Sequence, residues 1–173
     1  KVEALERGLK AASRGSIPDL QKIFLGGVSV NTSNRDGRTC LHVAACHGRE
    51  AVVRFLVDEM RADLNPVDSH GNTPINDAVR HQQDECAKIL REHGARLKLP
   101  PCDLAVILCD AAFQNDLDML KRYIVNGGDP AAGDYDGRTC LHLAACEGRV
   151  EIIKYILDQD VDVNCVDRMG CTP

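Results

Sequence analysis

The sequence predicts an all-α solenoid of stacked helix-turn-helix units with short β-hairpin turns, and two observations lead to this prediction. Residues 36–49 and residues 136–149 are identical at twelve of fourteen positions. A small residue also returns every 33 or 34 positions along the chain, at Ala11, Ala44, Ala78, Ala111 and Ala144. A fixed period of this length is typical of repeat proteins, in which each unit packs against its neighbours.

Each repeat begins with a tight turn and a short first helix. Glycine in Asp36-Gly37 and Asp136-Gly137 can adopt a positive φ at little cost, which indicates a turn. Thr39 follows two residues after Gly37 and suits a helix N-cap. We predict that glycines end the first helices at Gly15, Gly48 and Gly148.

A longer second helix completes each repeat. Val52, Val53 and Leu56 have the i, i+1, i+4 spacing of a one-sided apolar stripe, and Ile152, Ile153 and Ile156 repeat it. Helices of about nine residues are marginal alone, so these stripes must pack against neighbouring repeats. The predicted repeats are approximately 1–33, 34–67, 68–100, 101–133 and 134–166, with a partial repeat 167–173, in a single domain 1–173.

These motifs resemble the ankyrin repeat. The resemblance rests on Thr39-Cys40-Leu41-His42-Val43-Ala44-Ala45 and Ala62-Asp63-Leu64-Asn65, with Thr73-Pro74-Ile75-Asn76 and Val161-Asp162-Val163-Asn164 in other repeats. It covers essentially the whole chain and implies a fold that binds other proteins. Residues 108–139 are similar to the ankyrin arrays of plant-type potassium channels. They are also similar to the C-terminal repeats of asparaginase/lysophospholipase and kidney-type glutaminase proteins.

Three departures from the motif predict local irregularities. The second repeat has one extra residue near Asp58 to Arg61. Gln82 stands where the first helix usually ends on glycine, and a left-handed conformation there costs about 1 kcal/mol or more. Pro100 and Pro101 lack N–H donors at the start of the fourth repeat. We therefore expect no regular hairpin there, and a distorted joint between the third and fourth repeats.

Composition narrows the classes of function. A net charge of −5 disfavours nucleic-acid binding, and no apolar run approaches the roughly 20 residues of a membrane span. Nine cysteines without a secretory signal predict free thiols in a reducing cytoplasm. The start on Lys1 rather than Met indicates a fragment or a processed product.

Two arrangements of histidine and cysteine could indicate a zinc site or a catalytic pair. Cys40-x-His42 and Cys140-x-His142 could seed a zinc site, but they lie on separate repeats and no Cys-x-x-Cys pair accompanies them. The resemblance implies that His42 and His142 instead bridge backbone groups at the start of the first helix. Cys46-His47 is not a nucleophile–base pair, because adjacent helical residues point about 100° apart. We expect no catalytic residue, no cofactor and no metal.

The remaining side chains predict a partner-binding surface made of hairpin tips and first helices. Its candidate residues do not serve the stack: Arg35, Arg38, His47, His70, Asn72, His81, Phe113, Gln114, Tyr135, Arg138, Glu147, Arg168 and Met169. Arg, Tyr and Phe are favoured binding anchors. Phe113 has an alternative, which is to pack into the gap left by the missing hairpin.

The main hypothesis is a non-catalytic scaffold that binds a protein partner of unknown identity. One alternative is a regulatory or assembly tail of a larger asparaginase- or glutaminase-like enzyme or ion channel. A thiol-based redox or zinc sensor is a third possibility, and it rests on the nine cysteines alone.

Overall fold

The computed structural model describes residues 2–173, which form ten α-helices: α1 Val2–Arg14, α2 Ile17–Leu25, α3 Cys40–Cys46, α4 Glu50–Arg54, α5 Pro74–Arg80, α6 Asp84–Glu92, α7 Pro101–Gln114, α8 Leu117–Val125, α9 Cys140–Cys146 and α10 Val150–Leu157. A π-helical segment, Phe55–Glu59, directly follows α4. Lys1, where the first predicted repeat begins, lies outside the described residues. Residues 2–173 contain no β-strand, and the predicted all-α fold of paired helices is confirmed.

The chain divides into two compact units, Lys1–Lys98 and Leu99–Pro173. The boundary lies one residue before Pro100-Pro101, where the sequence predicts a distorted joint. The single domain and the repeat boundaries stay predictions.

The first unit contains the helix pairs α1/α2, α3/α4 and α5/α6. Helix α3 contacts both α1 and α5, so that the first helices lie side by side. Ala44 and Ala45 of α3 are completely buried, and their small side chains allow these helices to approach closely. Leu20 and Val52, on the second helices, are also completely buried, and each stabilises the fold by about 1.5–3 kcal/mol.

The second unit contains the pairs α7/α8 and α9/α10, with α7 packed on α9. Its core consists of completely buried apolar side chains from all four helices: Leu108, Ala112, Leu120, Ala144, Ile152 and Ile156. The apolar stripe predicted for the second helices is therefore confirmed at Ile152 and Ile156, while Ile153 is half-buried.

Helix α7 replaces a turn with extra helix. It has 14 residues, whereas α3, α5 and α9 have 7 each. Pro101 lies in its first turn, where a missing N–H costs no helical hydrogen bond. The additional turns bury Leu104 and Ala105. The absence of a regular hairpin at the start of this repeat is thus confirmed, and a helix occupies its place.

The extra residue of the second repeat forms the π-helical segment. Helix α4 and this segment have five residues each, so together they are one residue longer than α6, which has nine. The N–H of Met60 donates to the carbonyl of Phe55 at 3.1 Å, which is an i to i+5 bond. The insertion therefore widens one helical turn and leaves Leu56 and Val57 buried.

The first helices end as predicted, with a residue in the left-handed region. Gly15, Gly48 and Gly148 have φ values of +84°, +65° and +63°. Gln82 and Asn115 take the same conformation at +58° and +62° without being glycine. The repeat geometry therefore imposes this conformation on residues other than glycine, at a cost for Gln82.

Candidate functional site

One side-chain acceptor at the first residue of each turn closes that turn. Asn34 Oδ1 accepts the N–H groups of Asp36 and Arg38 at 3.0 and 2.9 Å. Aspartates accept the equivalent pairs of bonds in three other turns, at Asp68, Asp134 and Asp167. Pro101 occupies this position in the fourth repeat and has no side-chain acceptor, which explains the missing turn there.

Two of the turn aspartates, Asp68 and Asp167, have lowered pKa values and are ionised at neutral pH. Burial raises the pKa of Asp68, but the N–H groups of Asn72 and His70 outweigh it and hold that pKa below its usual range. The N–H groups of Cys171 and Met169 likewise lower the pKa of Asp167. The side chain of the first residue closes each turn, and the side chain of the next residue is exposed: Arg35, Ser69, Tyr135 and Arg168.

His42 is part of the framework. Its Nδ1 accepts the N–H of Thr39 at 3.2 Å, which places the proton on Nε2. That Nε2 donates to the carbonyl of Asn72, in the next turn, at 3.2 Å. Burial is the main cause that lowers the pKa of His42, and the neutral ring fits both bonds. The bridging role that the resemblance implies for this imidazole agrees with the geometry.

The residue equivalent to His42 contacts a backbone carbonyl in each of the repeats that contain α5, α7 and α9. His142 Nε2 lies 3.1 Å from the carbonyl of Cys171, and Cys109 Sγ lies 3.6 Å from that of Arg138. Asn76 uses both ends of its amide on Lys98, accepting its N–H at 2.9 Å and donating to its carbonyl at 2.6 Å. These side chains join neighbouring segments within each unit and are unavailable for chemistry.

Two candidate arginines carry ion pairs. The guanidinium of Arg38 binds the buried carboxylate of Asp77, in the next repeat. Arg138 binds Asp134 and Asp136 of its own turn at 3.3 and 3.1 Å. Arg38 therefore links two repeats in addition to any contact with a partner, whereas Arg138 is held on the turn itself.

The structure places most of the predicted partner-binding residues on exposed positions. In the first unit Arg38 and Asn72 are half-buried, and the others are exposed: Arg35, His47, His70 and His81. In the second unit Arg138 is half-buried, and the others are exposed: Phe113, Gln114, Tyr135, Glu147, Arg168 and Met169. Each group lies on the turns and on the first helices or their C-terminal ends.

Three of these residues present large apolar or aromatic side chains to solvent in the second unit. Phe113 is 53% exposed, Tyr135 is 64% exposed and Met169 is 87% exposed. Arg149 donates to the backbone carbonyl of Phe113 at 3.1 Å, which fixes the backbone of that residue. Phe113 does not fill the gap of the missing hairpin, because the extra turns of α7 occupy that stretch and Phe113 stays exposed.

The thiols divide into buried and accessible groups. Burial raises the pKa to about 11 for Cys40 and Cys86, and to about 12 for Cys109 and Cys140. These four are inert at neutral pH. The accessible or half-buried thiols are Cys46, Cys102, Cys146, Cys165 and Cys171, and all nine cysteines are free.

Two further features concern the described residues only. No group of three or more His, Cys, Asp or Glu within 2–173 is arranged to hold a metal ion. None of the helices in this part of the chain combines the length and the apolar character that a bilayer span requires.

A cavity in the first unit adds residues that the sequence did not indicate. It measures about 600 Å³ and lies between α1 and the first closed turn, lined by Leu5, Glu6, Leu9, Ser33, Asn34, Arg35 and Asp36. Arg35 was a candidate from its phase, but Leu5 and Leu9 were not. Helix α1 begins at Val2 and so includes both residues, and their i, i+4 spacing is the sequence signal that could have indicated them.

Comparisons with known proteins point to one family. A family model described as ankyrin repeats (3 copies) matches residues 9–100 and 108–173. The chain is 39% identical over 173 residues to potassium channel KOR1 of Oryza sativa subsp. japonica, covering 100% of the chain and 20% of that protein. It is 31% identical over 163 residues to an L-asparaginase of Dirofilaria immitis, covering 94% of the chain and 28% of that protein.

A third relative is potassium channel AKT1 of Arabidopsis thaliana, at 36% identity over 154 residues, or 89% of the chain and 18% of that protein. The chain thus spans less than a third of the length of these curated relatives.

Proposed function

This chain belongs to the ankyrin-repeat family, and we propose that it is a non-catalytic module that binds a partner polypeptide through its turn tips and first helices. Ankyrin repeats are protein-interaction modules, and the proposal assigns the surface. The observation that carries it is the exposure of Phe113, Tyr135 and Met169 in the second unit. Large side chains that do not serve packing are the usual anchors of an interface.

The fixed backbone of the turns and the ion pairs of Arg138 support the same surface. Asn34 and Asp134 fix the backbone of the turns that carry Arg35 and Tyr135, so these side chains meet a partner without first ordering a loop. Arg138 is already ion-paired on its turn, which restricts its guanidinium. The proposed surface of the first unit consists of Arg35, Arg38, His47, His70, Asn72 and His81.

The experiment begins with identification of a partner by pull-down and then measures the affinity of that purified partner. A variant with Phe113→Ala, Tyr135→Ala and Met169→Ala should weaken binding at least about tenfold, because truncated anchors cost about 1–2 kcal/mol or more each. The matched control truncates three exposed apolar side chains on second helices, Val125→Ala, Val150→Ala and Leu157→Ala. Equal affinities for the two variants would contradict the assigned surface.

A second candidate function is a regulatory or assembly region of a larger enzyme or ion channel. The relatives favour it, because a potassium channel and an L-asparaginase match the chain over only 20% and 28% of their lengths. We propose that the parent protein loses subunit assembly or regulation when these residues are removed. Comparing oligomer size and activity of the parent protein with and without them tests this; unchanged values would exclude it.

A cytoplasmic location is part of the proposal. All nine cysteines are free, which fits a reducing compartment. Imaging of the tagged parent protein tests this assignment, and an oxidising compartment would contradict it.

A further inference from the structure

A second surface of the first unit is strongly basic although the whole chain is acidic. A shallow cavity of about 290 Å³ lies between α1 and α2, lined by Arg7, Lys10, Ala11, Arg14, Asp19, Lys22 and Ile23. Four of these residues are cationic and one is anionic, in a chain whose net charge is −5. The local field is therefore opposite in sign to that of the molecule as a whole.

Within the described part of the chain, the four cations of this cavity form no ion pair. Neither Arg7, Lys10, Arg14 nor Lys22 has a carboxylate within salt-bridge distance among residues 2–173. The carboxylate of Asp19 accepts a hydrogen bond from Ser16 Oγ at 2.7 Å, at the start of α2. Its single negative charge offsets at most one of the four cations.

The charges stand at positions where the second repeat buries apolar side chains. Arg7, Asp19 and Lys22 hold positions of the first repeat that recur one period later. The corresponding residues of the second repeat are buried and apolar: Cys40, Val52 and Phe55. Burial of this surface against apolar side chains is therefore unfavourable, since it would bury unpaired charges.

We propose that this cavity binds an acidic peptide segment of a partner protein. Arg7, Lys10 and Arg14 follow the i, i+3, i+7 pattern along one face of α1 and cover about 10 Å of its length. That length matches about three residues of an extended peptide, so alternate carboxylates can each meet a cation. The half-buried Ile23 and the buried Ala11 offer an apolar floor to a side chain between those carboxylates.

The shape of the cavity favours a peptide over other polyanions. A nucleic acid or a membrane surface is broad, and beyond this cavity it would face a chain with 26 acidic and 21 basic residues. A short acidic segment confines its charge to the basic cavity. This surface shares no residue with the proposed partner-binding residues, so its failure would leave the proposed function intact.

The test uses the 173-residue chain and a synthetic seven-residue peptide that alternates glutamate and valine. Fluorescence anisotropy of the labelled peptide should show saturable binding that weakens strongly between about 50 and 300 mM salt, because the contacts are exposed ion pairs. Amide chemical shifts should change on α1 and α2. A matching peptide with glutamine in place of glutamate should not bind.

Charge reversal then distinguishes binding at the cavity from attraction by the overall charge of the chain. The variant Lys10→Glu, Arg14→Glu, Lys22→Glu should bind at least about tenfold more weakly. The control Arg54→Glu, Lys88→Glu, Lys154→Glu changes the net charge equally at exposed positions and should stay within about threefold of the original affinity. The single change Lys10→Gln, which reverses no charge, should lower affinity in the same direction.

Three results would overturn the proposal. The first is no saturable binding of the acidic peptide to the folded chain. The second is an equal loss of affinity in the cavity variant and in the control, with both folded by circular dichroism. The third is tighter binding to phosphatidylserine vesicles than to the peptide, with the same dependence on Lys10, Arg14 and Lys22.

Discussion

Single residues in the left-handed region show how strongly the repeat overrides local preference. Gln82 has a φ of +58° at a position where Gly15 and Gly48 provide the same conformation. A side chain with a Cβ pays about 1–2 kcal/mol there, although glycine loses about 0.5–1 kcal/mol more entropy on folding. The difference between these two quantities sets the effect of a substitution at this position.

We predict that Gln82→Gly raises the free energy of unfolding by about 0.5–1 kcal/mol, because relief of the left-handed conformation exceeds the added entropy of glycine. Chemical denaturation of the purified chain measures it. Gln82→Asn should give a smaller gain, since Asn tolerates this region and Asn115 already adopts it at +62°. The reverse change Gly15→Gln should destabilise, and a loss of stability in Gln82→Gly would contradict the account.

The buried imidazole of His42 gives the fold a dependence on pH. Burial lowers the pKa of His42 in the folded chain, whereas in the unfolded chain it lies near 6.5. Below about pH 6.5 the unfolded state binds a proton that the folded state does not, so stability falls as the pH falls. Above that pH, the neutral imidazole of His42 makes its full contribution to folding stability.

We predict that His42→Asn removes part of this pH dependence, because Asn76 shows that an amide can bridge two segments at this position. Between about pH 6.5 and 5.5 the original chain should lose up to about 1 kcal/mol more stability than the variant. Urea unfolding at a series of pH values measures the difference. Parallel curves for the two proteins would show that His42 does not titrate on unfolding.

At the scale of elements, the extra residue of the second repeat is stored in one helical turn. We predict that deletion of Glu59, an exposed residue of the π-helical segment, leaves the chain folded within about 1 kcal/mol of its original stability, because α-helix replaces the wider turn. Deletion of Lys88 is the control, since α6 has no residue to spare. It turns Ile89 and Leu90 by about 100° and should cost more than about 3 kcal/mol.

Thermal unfolding followed by circular dichroism compares the two deletions. Equal losses of stability would mean that the π-helical segment has no capacity to absorb the change.

The elements also show where the sequence was sufficient and where it was not. The period located the helix pairs, and the spacing of Val52 and Leu56 identified the buried side of α4 and its continuation. The extra residue was visible near Asp58, but its form was not, because a bulge in a helix and a longer loop have the same sequence count. The sequence did not predict the helical start of α7. Pro101 explains the missing turn only once the structure shows that Asn34 closes the equivalent turn as an acceptor.

At the scale of the whole molecule, the sequence boundary between the two compact units lies one residue before Pro100-Pro101. We predict that they unfold as separate cooperative transitions. Ile152→Ala, at a completely buried position of the second unit, should cost about 3 kcal/mol and accelerate amide exchange in residues 99–173. Leu20→Ala should do the same for residues 2–98.

Hydrogen exchange followed by mass spectrometry resolves the two regions. If either substitution accelerates exchange uniformly along the chain, the two units unfold as one.

The binding surfaces were only partly predictable from sequence. Tyr135 and Met169 were found because they occupy repeat positions without a packing role, and the structure leaves them exposed. The sequence did not indicate the basic cavity, because Arg7, Lys10 and Lys22 come together only when α1 and α2 pack. A period identifies what repeats share, whereas this cavity depends on how one repeat differs from the rest.

We propose that the repeats bury one another and present their turns and first helices to a partner polypeptide. The most direct measurement is amide exchange of the chain alone and in complex with its identified partner. We expect protection at the turns that carry Arg35, Tyr135 and Met169, and none on the solvent side of α6, α8 and α10. Protection confined to those second helices, with the turns unchanged, would contradict the claim.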